Sequence, residues 1–245
     1  MTYVAHLTRG RLSRSFAVLA VVLGISLTPL LVAEELDDPY EGINRKVFAF
    51  NEFADRWLLR PIAKGYRWVT PQFVDTGVTN VFGNLGELRN MLNAGLQGDA
   101  RQAGISLARL LTNSTIGLAG FFDVASHMNL PQRTEDFGQT LGKWGVGTGP
   151  YVMLPFFGPS TLRDSFSLIP DTYSSPVTYV DHVPTRNTLV AIDTVDGRAD
   201  LLDVEQLLTG DRYSFLRDVY LQTRAAAVAN GVLEDDFDGD FDSEF

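Results

Sequence analysis

The sequence predicts a mainly α-helical protein with little β-structure, and three features carry that expectation. Apolar residues recur at three- and four-residue spacing over most of the chain, which is the pattern of one helix face. No alternation of apolar and polar residues is long enough to build a sheet. Glycine and proline gather in one stretch, residues 131–159, where each disfavours continued helix and the backbone is expected to be irregular.

The elements follow in order. Residues 41–59 form an amphipathic helix whose stripe is Ile43, Val47, Phe50, Ala54, Trp57 and Leu58, with Arg45, Glu52, Asp55 and Arg56 pointing away and Pro61 as the stop. Phe48 lies off the stripe, so this helix is expected to touch something apolar on a second side. Residues 78–96 form a second helix on Val78, Val81, Leu85, Leu88 and Leu92, weakened by Gly83 and Gly86 at about 1 kcal/mol each against alanine. Gly98 and Asp99 read as a stop followed by an N-cap, and the next helix runs from Ala100. Residues 112–125 carry no charge before Asp123. They read as a buried core helix or as a segment lying in an interface or along an apolar cavity, and they are too short to span a bilayer.

Beyond the glycine-rich stretch, Tyr151-Val-Met-Leu154 is a short extended run. Pro170, Pro176 and Pro184 are expected to chop any helix in residues 164–184 short. Helical spacing returns over residues 188–208, Gly210 closes that helix, and Asp211 caps a last one that ends at Gly231.

Composition excludes several functions. The 245 residues contain no cysteine, so disulfides, thiolate metal sites, thiol catalysis and a cysteine-linked acyl anchor have no residue to use. Three histidines far apart make a histidine-rich metal site unexpected. A net charge of -10 argues against nonspecific nucleic-acid binding. The chain divides into an export signal (1–33), a helical body (34–231) and an acidic, disordered tail (232–245). In the first part Arg9, Arg11 and Arg14 precede an apolar run that Pro29 ends, with a small residue at Ala33; an uncleaved anchor is the alternative. The tail's spaced aspartates lack the terminal glutamate of a calcium loop.

No motif places a nucleophile beside a base. The segment Gly145-Val-Gly147-Thr-Gly149-Pro150 lacks the Lys-Ser/Thr of a phosphate loop. Glu135, Asp136 and Asp164 could form a catalytic carboxylate pair, but salt bridges to Arg133 or Arg163 are the simpler reading. Two readings of the helices stay open. They close on one another around a dry core, or some apolar faces meet lipid, for which Trp57, Trp68, Phe73, Trp144, Phe156 and Phe157 are suited.

Ordered blocks then narrow the choice. Asp38-Pro-Tyr-Glu-Gly-Ile-Asn-Arg45 with Phe48-Ala-Phe-Asn51, Leu96-Gln-Gly-Asp99, and the run from Arg109 through Asn113 and Phe121 to Asp123 resemble the MlaA (VacJ) family. So do Arg133-Thr-Glu-Asp-Phe-Gly-Gln-Thr-Leu-Gly142 and the run from Gly145 through Tyr151 and Pro155 to Asp164. The resemblance covers residues 38–230. It implies a ring-like assembly of amphipathic helices in the inner leaflet of a Gram-negative outer membrane, associated with trimeric porin. Such proteins take phospholipid mislocalised to the outer leaflet through a central amphipathic channel to the soluble periplasmic carrier MlaC, which delivers it to an inner-membrane transporter. The resemblance implies no catalytic residue, cofactor or metal.

On this reading Gly145, Gly147, Gly149, Phe156 and Phe157 sit at the channel or its rim, where irregular backbone must face water or protein. A bulky residue at Gly147 or Gly149 is expected to impair transport. Arg186 is the lumen cation expected to meet phosphate. The family's usual anchor, a cysteine after the signal, is replaced by Glu34. Retention is left to embedded helices, a porin partner or an uncleaved first segment. The alternative function is a porin-associated scaffold that moves no lipid.

Overall fold

A computed structural model describes residues 38–203 and 210–230. The expected signal, the expected tail and the last residues of the helix expected over 188–208 lie outside the described residues. The regular structure of the described chain is helical apart from one two-stranded hairpin.

Helix α1 (Glu41–Ala54) does not stop before Pro61. It passes through a π-turn (Asp55–Leu59) into α2 (Arg60–Val69). The Arg60 amide reaches the Asp55 carbonyl, five residues back, so the regular ladder is already interrupted where proline brings no N–H. Helix α3 (Gln72–Leu96) begins six residues earlier than expected, and its glycines cause no break. Gly98 at φ +80° ends it, and Asp99 caps α4 (Ala100–Thr115) by accepting from the Gln102 amide at 2.9 Å, as expected.

The uncharged stretch after α4 is not a buried helix. Leu118, Ala119 and Gly120 have φ of 52°, 58° and 93°, and Ile116, Leu118 and Phe122 are exposed. Left-handed backbone costs roughly 1 kcal/mol or more per non-glycine residue. Polar side chains hold it: Asn80 Nδ2 donates to the Phe121 carbonyl at 3.1 Å, and Asn113 Oδ1 accepts from the Ala125 amide at 2.9 Å.

A short α5 (Val124–His127) and α6 (Phe137–Lys143) lead to strands β1 (Tyr151–Leu154) and β2 (Gly158–Thr161), antiparallel with Tyr151 opposite Thr161. Helix α7 (Leu162–Ser174) runs through Pro170, contrary to the expectation that this proline would cut it. A 3₁₀ turn (Pro176–Tyr179) precedes α8 (Val183–Leu201), and α9 (Arg212–Val228) is capped by Asp211 after Gly210 at φ +86°.

Packing joins these elements in a closed circuit. Helix α2 meets α8, α8 meets α3, α3 meets α6, α6 meets α9, α9 meets β2, and β1 meets α1. The last helix also returns to the first, where Phe48 packs edge-on against Tyr213 and Arg45 pairs with Asp211 at 2.7 Å. That supplies the second apolar contact expected of Phe48.

Candidate functional site

The burial pattern is inverted relative to an ordinary globular core. Among the described residues eight apolar side chains are buried, against nineteen polar or charged ones. On α1 the buried residue is Asn44, while Ile43, Phe50, Trp57 and Leu58 of the predicted apolar stripe are exposed. On α4 the buried positions are Gln102, Ser106, Arg109 and Asn113, one face at three- and four-residue spacing, and Leu107 and Leu111 face outward. On α3 the same holds for Asn84, Glu87, Asn90 and Asn93 against Phe73, Leu92 and Leu96.

Buried polar groups are tolerated when each finds a partner, and most of these do. Arg109 is 2% exposed and Glu87 is fully buried; Nε of Arg109 lies 2.6 Å from the Glu87 carboxylate. Its other nitrogens donate to the Leu130 carbonyl at 2.6 Å, to Ser126 Oγ at 3.1 Å and to Asp123 at 3.2 Å. Burial pushes the Asp123 carboxyl up. Hydrogen bonds from Ser126 and Asn113 and the charge of Arg109 outweigh that and hold it below the ordinary range. This cluster ties α3 and α4 to the left-handed turn.

A second cluster centres on Arg224 of α9. Its guanidinium spans Asp136, the cap of α6, and Asp164 in the first turn of α7, with bonds of 2.5–2.9 Å. Arg163 and the Tyr220 hydroxyl complete the shell of Asp164. Burial raises both carboxyls, but the bonds from Arg224, and for Asp164 also from Arg163, win and keep them low. Asp136 and Asp164 are therefore structural anions, as salt-bridging rather than catalytic pairing predicted. Glu135 pairs with Arg133 and accepts from Gln97 at 2.8 Å.

Two asparagines of α1 do the work of a neighbouring strand. Asn44 donates to the Tyr151 carbonyl at 3.1 Å and accepts from the Met153 amide at 2.9 Å. Two turns on, Asn51 donates to the Leu154 carbonyl at 2.9 Å and accepts from the Phe156 amide at 2.8 Å. The free edge of a two-stranded sheet is satisfied by side chains. Sequence reasoning missed this; the signal was the seven-residue spacing that places both amides on one helix face.

The apolar groups stand outside. Trp57 is 70% exposed, Trp68 86%, and the hairpin tip carries Phe156 at 77% and Phe157 at 75%. Phe156 has φ +65° and packs edge-on against Phe50. An exposed apolar surface of this extent marks an interaction surface. Among the described residues no helix is long and apolar enough to cross a membrane.

Of the predicted site residues, Gly145 (φ +87°) and Gly149 (φ +68°) occupy left-handed backbone beside the hairpin, and Gly149 abuts Leu162. Gly147 is exposed with open space where a Cβ would project. Phe156 and Phe157 form the hairpin tip. Arg186 is half-buried in the first turn of α8, which packs against α2, α3 and the 3₁₀ turn, whereas the hairpin packs against α1, α7 and α9. The glycine–hairpin group and Arg186 thus lie on separate parts of the circuit. Sequence reasoning also missed Arg89 on α3, half-buried with its Nε shut from solvent and without a partner. His127 and His182 serve locally: His127 Nδ1 lies 3.0 Å from the Asp123 carbonyl, and His182 caps α8.

Comparison with known proteins agrees with this architecture. The MlaA lipoprotein family matches residues 36–227. The intermembrane phospholipid transport system lipoprotein MlaA of Escherichia coli (strain K12) is 40% identical over 200 residues, covering 79% of each chain. The protein of the same description from Haemophilus influenzae is 31% identical over 206 residues, covering 81% of this chain and 82% of the relative. A solved structure from work on the structural basis for maintenance of bacterial outer membrane lipid asymmetry superposes with a TM-score of 0.70 at 35% identity, covering 78% of this chain and 99% of that one.

Proposed function

This chain belongs to the MlaA lipoprotein family, and from that premise we propose that it transports phospholipid between membranes and so maintains the lipid asymmetry of the outer membrane. It is a transport protein rather than an enzyme, and it associates with the outer membrane. In finer terms, the body lies in the inner leaflet of that membrane. It takes phospholipid mislocalised to the outer leaflet, lets the head group pass along the polar inside of the circuit, and hands the lipid to the periplasmic carrier MlaC beside a trimeric porin.

The inverted burial carries this reading. A protein in water hides its apolar residues, and one seated in hydrocarbon has no reason to. Fully burying a large apolar side chain is worth roughly 1.5–3 kcal/mol. Five exposed rings, such as Phe53, Trp57, Trp68, Phe156 and Phe157, then give roughly 5–10 kcal/mol after discount for partial exposure. That matches or exceeds the marginal, reversible hold of a single acyl chain. A chain without cysteine has this means of staying in the leaflet.

The mechanism needs no bond made or broken. Pulling lipid tails through water costs about 0.8 kcal/mol per CH₂. A wall that keeps tails in hydrocarbon while polar side chains receive the head group lowers that barrier. The rim is assigned to Gly145, Gly147, Gly149, Phe156 and Phe157, and Arg186 to the lumen. The closed circuit of helix contacts supports a ring.

The test is a deletion strain complemented with this chain, with outer-leaflet phospholipid measured by labelling from outside the cell. Restored asymmetry is expected. Persistent outer-leaflet phospholipid, with only porin assembly altered, would replace transport with the scaffold reading.

A further inference from the structure

In a chain of net charge -10, residues 56–74 carry Arg56, Arg60, Lys64 and Arg67 and no acid. The acids at either end of this stretch do not answer those cations. Asp55 holds Arg198 of α8 at 2.6 and 2.8 Å, and Asp75 is buried. Arg56 and Lys64 are exposed and make no hydrogen bond or ion pair among the described residues. Arg67 meets Asp203 at 2.9 Å on the open surface, where such a pair is worth little.

Helix α2 sorts its side chains into three sectors. Ala63 and Tyr66 face α8: Ala63 is fully buried with Ala199 and Leu202, and the Tyr66 hydroxyl donates to Asp196 at 2.8 Å. At 3.6 residues per turn Arg60, Lys64 and Arg67 fall within about 60° of one another, beside that packed side. Trp68, Val69 and Ile62, all exposed, occupy the next ~120°. In the π-turn Arg56 lies four residues before Arg60, and the exposed Trp57 and Leu58 follow it. A row of cations thus runs alongside an open apolar strip that has a tryptophan near each end. That is the arrangement of a helix lying in a membrane surface. Long basic side chains lay their stems on apolar ground and carry their charges out to the phosphates, while tryptophan settles at the head-group level.

We infer that Arg56, Arg60, Lys64 and Arg67 form a docking strip for the head groups of anionic phospholipid. Helix α2 lies along the head-group boundary, with Ile62, Trp68 and Val69 turned into the acyl chains. Charge complementarity selects the lipid. A zwitterionic head group offsets its phosphate with its own ammonium, whereas an anionic one leaves the phosphate charge for the strip. The assignment rests on the proposed seating of the body in a leaflet and adds the charge of the lipid that holds it there.

The test is flotation of the full chain, diluted from mild detergent, with vesicles of phosphatidylcholine alone or with part of it replaced by phosphatidylglycerol of matched chains. The bound fraction is followed through a lipid titration. Wild type is expected to bind the anionic vesicles more tightly. Each cation near the surface is worth about fivefold, so Arg56→Gln/Lys64→Gln should lose about 25-fold on anionic vesicles and little on neutral ones. The charge-keeping exchange Arg56→Lys/Lys64→Arg should bind as wild type. Trp68→Ser should weaken binding to both vesicles alike. Raising salt from about 0.1 M to about 1 M shortens the screening length from about 10 Å to about 3 Å and should erase the anionic preference. Strong and equal binding of wild type to both vesicles, or a preference that survives in the double glutamine variant, would overturn the strip and leave the seating in place. An unchanged preference with loss of a co-purifying acidic protein from that variant would give the strip to a protein instead. Failure of wild type to float with either vesicle would overturn the strip and the seating together.

Discussion

Replacing Arg109 with leucine should unfold this protein at a much lower temperature, although leucine suits most protein interiors. The substitution strands a fully buried Glu87 and removes the cation from Asp123. Breaking a buried pair from one side costs about 3–5 kcal/mol. The bonds to Ser126 and the Leu130 carbonyl, donated by a charged group, add about 1.5 kcal/mol or more each. In a body of this size 1 kcal/mol moves the midpoint by about 2–4 °C, so a fall of about 10 °C or more is expected. Thermal unfolding followed by far-ultraviolet circular dichroism in mild detergent measures it. The double variant Glu87→Leu/Arg109→Leu removes both charges and should recover a large part of the loss, because the penalty lies in the orphaned carboxylate rather than the missing attraction. A single variant that melts within about 2 °C of wild type would refute the claim that the interior is held by polar pairing.

The other predictions concern backbone, space and acid. A Cβ at Gly77 would run into the Phe121 ring, whereas one at Gly86 meets open space; Gly77→Ala should destabilise by about 1–3 kcal/mol and Gly86→Ala should stabilise by about 0.5–1 kcal/mol, both readable from urea midpoints. Gly149→Val forces a branched residue into left-handed backbone against Leu162 and should impair clearance of outer-leaflet phospholipid, while Gly147→Val, with free space, should not. This separates two glycines the sequence treated alike. Asp136 and Asp164 sit below the ordinary carboxylate range when folded. Their stabilisation is present above about pH 4 and is lost as pH falls through the folded values. The urea midpoint should drop over that range, and Arg224→Met should lower the neutral plateau and flatten the drop.

Helix existence was legible in this sequence, and so were several ends. Asp99 and Asp211 cap where expected, and Gly98 stops a helix through positive φ, whereas the helix expected over residues 188–208 ends at Leu201. Periodicity shows that a helix has an apolar face but not which medium covers it. The stripe of Ile43, Phe50, Trp57 and Leu58 therefore left core and lipid contact open, and the structure places it outside. The complementary stripe, Gln102, Ser106, Arg109 and Asn113, was equally periodic, and a run of buried-capable polar residues at helix spacing was the available clue. Proline misled twice, because a π-turn absorbs Pro61 and α7 tolerates Pro170. The left-handed turn at Leu118 and Ala119 is held by Asn113 a few residues before it and by Asn80 on another helix, a pairing that spacing does not announce.

The central claim is that the outward apolar face lies in hydrocarbon. The chain has three tryptophans, Trp57, Trp68 and Trp144, and they are 70%, 86% and 55% exposed. Their fluorescence in vesicles of brominated-chain phospholipid is the most direct test. Strong quenching by the bromines with little quenching by water-borne acrylamide is the predicted result. Full access to acrylamide and indifference to the bromines would place the same face in water and contradict the account.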